Sequence, residues 1–270
     1  MAFAIVLILL VIGTVAFHFL SPWYLTEIAS NWQGMDDAIT ITFVVTGIVF
    51  VAVNLFMAWA VIRYRHKKGL KADYEPENRT LEIWLTGITA VGVVAMLAPG
   101  LAVWDDYVNV PEDAALVEAV GQQWTWSFRY PGPDGILGAA ENHFITPDNP
   151  FGIDANDPYA ADDILVEDSE FYLPVNVPVK VALRSKDVLH DFYVPQIRSK
   201  MDLVPGLVTY FWFEPTRTGE FELLCAELCG NSHYNMRGNM IISEEDEYEA
   251  WLAEQPTFSE MAPDTVATAN

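Results

Sequence analysis

The chain has 270 residues, of which 52% are apolar, and 37 acidic side chains against 14 basic ones give it a net charge of −23. The apolar content excludes an intrinsically disordered chain, and two cysteines are too few for a disulfide scaffold. The negative charge argues against a nucleic-acid partner or binding to anionic lipid through the overall field, whereas a basic protein partner fits it.

Three stretches near the N-terminus are long and apolar enough to cross a membrane. Residues 1–20 and 38–62 contain no Asp, Glu, Lys or Arg, and a third apolar stretch covers 83–104. Each reaches the roughly 20 residues that a helix needs to span the hydrocarbon core. The first stretch could instead be a cleaved signal peptide, but it lacks a basic start and a clear small-residue cleavage site, so we expect a retained helix.

The loop between the second and third stretches sets the expected orientation. It holds a cluster of basic residues: Arg63, Arg65, Lys67, Lys68, Lys71 and Arg79. Basic loops stay on the cytoplasmic side, so residues 1–104 are expected to form a membrane domain and residues from Asp105 onward an exported one. We expect Trp23, Trp32 and Trp104 at the membrane interfaces.

The pattern changes after Asp105 to short runs rich in β-branched and aromatic residues, with Pro and Gly between them. Such runs predict an antiparallel β-sandwich or barrel over residues 105–255. The predicted strands are Ala115–Val120, Gln123–Tyr130, Phe171–Leu173, Val179–Ser185, Val208–Glu214, Glu220–Leu224 and Asn239–Ser243.

Three other segments of the exported part have distinct compositions. Residues 131–178 contain no Lys or Arg and many Gly, Pro, Asn and Asp, which predicts a long acidic insertion that is either a solvated surface, including one adapted to a saline habitat, or a docking surface. The spacing of apolar residues in Ser243–Gln255 predicts a short helix packed on the sheet. Within 256–270, we expect a loose tail.

One loop concentrates the side chains suited to metal chemistry. Residues 225–236 read Cys-Ala-Glu-Leu-Cys-Gly-Asn-Ser-His-Tyr-Asn-Met. Thiolate, imidazole and thioether are soft or borderline ligands that suit copper. On the residues alone, a zinc site and a disulfide stay open, although Met is a poor zinc ligand and a disulfide here would close a very small loop. His190 follows a predicted strand, and a turn there could bring it beside this loop.

The loop resembles the dinuclear copper A loop of cytochrome c oxidase subunit II, Cys-x-Glu-x-Cys-Gly-x-x-His-x-x-Met. The resemblance extends to the sequences VLH at 188–190, QWTW at 123–126 and LEIW at 81–84, and it covers roughly residues 35–250. It implies transmembrane helices followed by a cupredoxin-like domain, in a bacterial inner membrane with the copper domain on the periplasmic side.

Carried over position by position, the resemblance implies a dinuclear copper site. The implied ligands are the bridging thiolates of Cys225 and Cys229, the imidazoles of His190 and His233, the thioether of Met236 and the backbone carbonyl of Glu227. The Glu227 carboxylate would reach a magnesium or manganese ion shared with the catalytic subunit. Haem would be held only by that partner.

Three further residues receive roles from the resemblance. Trp124 matches the surface tryptophan that accepts the electron of cytochrome c, whereas Trp126 suits the core of the barrel. Asp187 stands at a position associated with docking of the donor. Glu82 resembles a glutamate at the mouth of a proton path into the catalytic subunit.

The resemblance implies the electron-input subunit of a proton-pumping haem–copper oxidase, with no bond chemistry on this chain alone. Its partners would be the catalytic subunit I, further membrane subunits and a cytochrome c or similar exported donor. A copper A subunit of a membrane nitric oxide reductase and a non-enzymatic, membrane-anchored copper-binding protein are the alternatives. A quinol oxidase subunit is disfavoured because such subunits usually lack the copper ligands.

The chain departs from the family pattern at Gln122, often a histidine, in its first apolar stretch and in its acidic insertion.

Overall fold

The computed structural model describes residues 1–21, 26–69, 71, 74 and 76–261. Its described residues divide into two compact units. One is helical and lies within residues 1–104. The other combines residues 26–33 with the chain from residue 105 onward.

Three long helices account for the three apolar stretches. Helix α1 covers Ala2–Leu20, α2 covers Gln33–Arg63 and α3 covers Arg79–Val108. All three are long and apolar enough to cross a membrane. Helices α2 and α3 are longer than the predicted stretches 38–62 and 83–104, since both include polar residues on either side of the apolar stretch. Ala4 and Leu7 of α1 pack with Ala58 of α2, where the small side chains allow close approach.

The second unit is a sandwich of two five-stranded sheets with short helices at its edge. Its described elements are β1 (Ala115–Gln122), β2 (Thr125–Tyr130), β3 (Ile164–Val166), β4 (Glu170–Pro174), β5 (Val179–Ser185), β6 (His190–Val194), β7 (Ser199–Leu203), β8 (Thr209–Phe213), β9 (Gly219–Cys225), β10 (Arg237–Ser243), α4 (Glu245–Leu252) and α5 (Phe258–Met261). One sheet has the order β3-β2-β1-β5-β8 and the other β4-β10-β9-β6-β7. The predicted sandwich is therefore confirmed.

Both sheets are mixed rather than antiparallel throughout, which corrects the predicted strand arrangement. Strand β1 pairs in parallel with β5, and β4 pairs in parallel with β10. A parallel pair needs a long crossover between its strands. The chain from β2 through the insertion to β4 makes the crossover between β1 and β5.

Three strands were not predicted from the sequence. Strand β3 has only three residues and lies inside the acidic segment, so it carries no visible alternation. Strands β6 and β7 have only five residues each and carry His190, Asp191 and Lys200 among their apolar residues, which hides the period-two pattern.

The acidic insertion is folded onto the first sheet and is not a solvated loop. It ends before β3, so it spans residues 131–163 rather than 131–178. Its buried apolar side chains join a cluster with residues of β1, β3 and α5: Val120, Phe151, Ile153, Ala160, Leu165 and Phe258. Strand β1 is consequently buried on both faces.

The start of the predicted tail also differs from expectation. Phe258 is only 1% exposed, and its backbone N–H donates to the carbonyl of Asp163 at 2.8 Å. The apolar ring seals the edge of the insertion, so residues 256–261 are part of the fold. The rest of the predicted tail, 262–270, lies outside the described residues.

A buried network of four charged side chains attaches the insertion to the sheet. Arg129 Nε lies 2.9 Å from Glu118 Oε2, and its Nη1 lies 2.8 Å from Asp163 Oδ2. Arg184 Nε lies 3.1 Å from Glu118 Oε1. Burial opposes ionisation of Glu118, but the two guanidinium groups hold the pKa of its carboxyl below its ordinary value.

The same two arginines bind the backbone of the insertion. Arg129 Nη1 donates to the carbonyl of Gly138 at 2.7 Å, and Arg184 Nη2 donates to the carbonyl of Phe151 at 2.6 Å. The network therefore fixes the insertion at Gly138, Phe151 and Asp163, because each guanidinium binds one of its carbonyls and Arg129 also pairs with the Asp163 carboxylate.

Residues 26–33, which we call the strap, lie along the sandwich. Ala29 donates its N–H to the carbonyl of Gln196 at 2.8 Å, and Ser30 Oγ donates to the carbonyl of Ile197 at 2.9 Å. Trp32 is 4% exposed and its Nε1 donates to the carbonyl of Trp212 at 3.1 Å. The Trp32 ring is therefore part of the β-rich unit, and its expected position at a membrane interface stays a prediction. Trp23 lies outside the described residues.

We expect Arg129→Met to lower the free energy of unfolding of the β-rich unit by about 3–5 kcal/mol, because the buried carboxylates of Glu118 and Asp163 both lose the guanidinium that pairs with them. Urea unfolding of the full chain in detergent, followed by near-ultraviolet circular dichroism, measures the effect. Arg237→Met is the matched control, because Arg237 pairs with Glu222 at the surface. Equal losses in the two variants would contradict a special role for the buried network.

Candidate metal centre

The predicted ligands converge at one end of the sandwich. His190 is the first residue of β6 and Cys225 is the last residue of β9. These strands are antiparallel neighbours in which Phe192 pairs with Cys225, so the start of one strand meets the end of the other. The loop from Cys225 returns to β10 through a 3₁₀ turn at His233–Asn235.

Two thiols form the middle of the site, with one imidazole beside each. The Sγ atoms of Cys225 and Cys229 are 3.8 Å apart. Nδ1 of His190 lies 3.9 Å from Cys225 Sγ, and Nδ1 of His233 lies 3.6 Å from Cys229 Sγ. Both cysteines are free, and their separation is far beyond the roughly 2.05 Å of an S–S bond, which removes the disulfide alternative for this structure.

Two weaker donors complete the arrangement. Met236 Sδ lies 3.8 Å from Cys229 Sγ, and the backbone carbonyl oxygen of Glu227 lies 3.2 Å from Cys225 Sγ. His190, Cys229 and Met236 are almost fully buried, whereas His233 and Glu227 are half-buried. The site therefore has six donors in all, the two thiols and four others, which exceeds the four of a structural zinc site and fits a pair of soft metal ions.

The protonation of the two thiols is unequal. Burial opposes ionisation of Cys225, but hydrogen bonds, first of all with His190, lower the pKa of its thiol below the ordinary value. Burial and the adjacent Cys225 raise the pKa of the Cys229 thiol. Without a cation, the pair therefore favours a single negative charge, since the first thiolate opposes the second. Positive metal ions would favour the second thiolate as well.

Asp187 holds His190 in place. Its Oδ1 lies 2.8 Å from Nε2 of His190 and accepts the backbone N–H of Val188 at 2.7 Å. Its Oδ2 accepts the backbone N–H of Gln123 at 2.7 Å. With Nε2 engaged, Nδ1 of His190 is left facing the thiols. The resemblance assigned Asp187 to donor docking, and the geometry gives it contacts inside the site as well.

The two tryptophans of the QWTW sequence lie in different environments. Trp124 is 38% exposed on the turn between β1 and β2, whereas Trp126 is fully buried, as strand alternation predicts. The Trp124 ring lies against Gly230, next to Cys229, and a Cβ at Gly230 would be 3.3 Å from Trp124 Nε1. Trp124 thus connects the protein surface with the ligand loop.

Glu82 belongs to the helical unit. It lies in the first turn of α3, where the Asn78 side chain caps the helix by accepting the N–H of Leu81 at 3.1 Å. The side chain of Glu82 is exposed. Its predicted role as a proton-path residue stays a prediction.

Comparison with known proteins identifies the family. Residues 115–244 match the family described as cytochrome c oxidase subunit II, periplasmic domain. The chain is 57% identical over 259 residues to the alternative cytochrome c oxidase subunit 2 of Bradyrhizobium diazoefficiens, covering 96% of this chain and 94% of that protein. The chain belongs to the cytochrome c oxidase subunit II family.

Two further similarities accompany this match. The chain is 31% identical over 220 residues to cytochrome c oxidase subunit 2 of Cereibacter sphaeroides, covering 77% of this chain and 72% of that protein. The periplasmic domain of subunit II of cytochrome oxidase from Bradyrhizobium japonicum has 29% sequence identity and a TM-score of 0.40, covering 54% of this chain and 95% of that chain.

Membership of the subunit II family confirms the broad reading of the sequence. The chain is a subunit of an oxidoreductase complex, and its membership of the subunit II family implies a partnership with a subunit I. The family binds copper A, and the His190, Cys225 and Cys229 donor atoms lie within 4.8 Å of one another. Apolar helices that could cross a membrane precede a periplasmic domain.

Sequence reasoning missed the role of Gln123 and the site contacts of Asp187. Gln123 precedes Trp124 within the QWTW sequence, and Asp187 lies three residues before His190, so both were close to residues already singled out. Their contacts depend on how the β1–β2 turn, the β5–β6 turn and the loop of residues 225–236 meet, which the sequence pattern does not reveal.

We expect Asp187→Asn to weaken copper binding by about 10- to 100-fold, because the carboxylate that orients His190 loses its charge. Titration of the full chain in detergent with a competing copper chelator measures the affinity. Asp246→Asn, on the exposed first turn of α4, is the matched control. Unchanged affinity together with weaker donor binding would leave Asp187 with a docking role alone.

Proposed function

We propose that this chain is the electron-input subunit of a proton-pumping haem–copper oxidase. In this proposal, a dinuclear copper A centre is held by His190, Cys225, Cys229, His233, Met236 and the carbonyl of Glu227. The observation that carries the proposal is the thiol pair, 3.8 Å apart, with an imidazole Nδ1 beside each sulfur. Electrons come from a cytochrome c and leave for haem in the catalytic subunit, which reduces dioxygen to water.

The fold supports rapid electron transfer through the rigidity of the ligand set. When bound, a thiolate-bridged copper pair takes up and releases one electron that is shared by both metals. The chain's part is to hold the ligands fixed: Cys225 ends a strand, His190 begins the neighbouring one, and Asp187 orients the imidazole. Ligands on strands are held more precisely than ligands on free loops, which keeps rearrangement small.

Trp124 is the proposed point of electron input. It is both exposed to solvent and in contact with the loop that carries Cys229. Trp126, the other tryptophan of this segment, is buried and cannot contact a donor. An aromatic ring that is exposed to solvent and packs beside Gly230, next to Cys229, would offer a short route between a docked haem and the metal centre.

The folded insertion is the proposed extension of the donor-docking surface. Its exposed acids include Asp134, Glu141 and Asp148, and the insertion contains no Lys or Arg. It is fixed beside the segment that precedes Asp187, because Asn142 Nδ2 donates to the carbonyl of Ser185 at 3.0 Å. A basic face on cytochrome c would be attracted to this surface.

Two carboxylates are assigned to the partner interface. Glu227 would direct its side chain to a magnesium or manganese ion shared with subunit I, while its carbonyl faces the thiols. Glu82, at the start of α3, would stand at the cytoplasmic mouth of a proton path into subunit I. Both roles rest on the resemblance to the family.

The copper assignment is tested by electron paramagnetic resonance of the full chain in detergent, with copper and zinc counted on the same sample. We expect two copper ions per chain and a hyperfine pattern from one electron shared equally by both. Cys229→Ser should abolish this pattern, because only one thiolate would remain as a bridge. A mononuclear or zinc-loaded protein would overturn the proposal.

Neutralising three insertion acids by Asp134→Asn, Glu141→Gln and Asp148→Asn should lower the association rate of a basic cytochrome c several-fold at low ionic strength. Stopped-flow oxidation of the donor over a range of salt concentrations measures this rate. The control neutralises Glu245, Asp246 and Glu247 on α4, which changes the net charge equally. If both triple variants slow association alike, the insertion contributes only to the overall field.

A further inference from the structure

Trp124 occupies a position that would ordinarily be mobile. It lies in the two-residue connection between β1 and β2, where Gln122 pairs with Thr125 across the hairpin. Exposed loop tips are usually more mobile than the strands that they join. Electron transfer falls steeply with distance, so a mobile Trp124 would be a poor electron acceptor. Efficient electron input therefore requires contacts that fix the Gln123–Trp124 turn against the ligand loop.

Gln123 makes two hydrogen bonds that meet this need. Its backbone N–H donates to Asp187 Oδ2 at 2.7 Å, and its side-chain Nε2 donates to the carbonyl of Cys229 at 2.7 Å. The other carboxylate oxygen of Asp187 contacts His190. Gln123 is thus linked to the segments that carry two predicted ligands, one through its backbone and one through its side chain.

Gly230 provides the space for this contact. It has a φ of +126°, and a Cβ at this position would lie 2.8 Å from Gln123 Nε2. A side chain here would displace both the Gln123 amide and the neighbouring Trp124 ring. The Gln123 amide and the Trp124 ring therefore pack closely against the backbone of residues 229–230.

We propose that Gln123 is a positioning residue for electron input, which clamps the Trp124 turn onto the Cys229–Gly230 backbone. This inference rests on the proposed function, in which one electron passes from reduced cytochrome c to the copper pair and no covalent bond or proton changes place. The clamp fixes the distance from the Trp124 ring to the ligand loop. The hydrogen bond from Gln123 Nε2 to the Cys229 carbonyl also gives a bonded connection from the turn to the ligand loop.

Gln122 offers a matched control one residue away. Its side chain is exposed, and its Oε1 accepts a hydrogen bond from Lys186 Nζ at 3.3 Å. Gln123→Met keeps the length of the side chain and removes the donor, and Gln123→Glu replaces the donor with an acceptor. Gln122→Met and Gln122→Glu make the same changes in size and charge at a side chain that bonds to Lys186 and not to the Cys229 carbonyl.

The first measurement is hydrogen–deuterium exchange of the copper-free full chain in detergent. Gln123→Met and Gln123→Glu should increase exchange in peptides covering the Trp124 turn and residues 229–230, because the clamp is lost. The Gln122 variants should leave residues 229–230 as in the wild type. Equal exchange in all variants would show that the clamp does not hold the turn, and would overturn the inference.

The second measurement is the first-order rate of electron input in the assembled oxidase, triggered by light from a photo-activated cytochrome c at saturating concentration. Both Gln123 variants should slow this step about tenfold or more, as expected for a misplaced reacting group, with an unchanged copper resonance. The Gln122 variants should keep the wild-type rate. A wild-type rate in the Gln123 variants, or equal slowing in both Glu variants, would overturn the positioning role.

Trp124→Phe in the same assay separates this inference from the proposed function. If it slows electron input while Gln123→Met does not, only the clamp is wrong. If Trp124→Phe has no effect, Trp124 is not the point of electron input and the proposal on which the clamp rests fails as well.

Discussion

The antiparallel pairing of β6 with β9 is the constraint on which the metal centre depends. It sets the start of one strand against the end of the other, so that His190 meets Cys225 although 35 residues separate them. The remaining donors follow on a short loop whose two ends are held by β9 and β10. Strand pairing therefore decides the spacing of the ligands before any metal binds.

Burial of charge is the second organising feature of the β-rich unit. Glu118, Arg129, Arg184 and Asp163 are all buried, which is costly unless each charge has a partner. Here the arginines also bind backbone carbonyls of the insertion, so the network satisfies polar groups that would otherwise be orphaned. An acidic segment can thereby lie against an apolar sheet while its remaining acids stay at the surface.

The sequence was most informative where one signal was strong and local. The apolar stretches predicted the three helices, and the spacing of Cys225, Cys229, His233 and Met236 predicted which side chains would meet. Short strands with mixed composition, such as β6 and β7, were missed because their burial depends on distant partners. The folding of the insertion was missed for the same reason: Phe151 and Ile153 look isolated in an acidic segment until Val120 and Phe258 are placed beside them.

The contacts of Gln123 and Asp187 show a related limit. Each residue is close in sequence to a recognised motif, yet its partner is set by the meeting of two turns. The periodic pattern of apolar residues along the sequence does not show which turns contact each other. The sequence therefore identified the donors, while the groups that hold those donors became visible only in the folded chain.

The strap has a consequence for the biogenesis of the chain. Ser30 and Trp32 bind carbonyls 167 and 180 residues further along the sequence, so these contacts have a very long sequence separation. Contacts of this kind form late, after the intervening chain is available. The first residues of the β-rich unit must therefore wait through the synthesis of α2, α3 and most of the sandwich before they find their partners. Completion of this unit is consequently tied to completion of the whole chain.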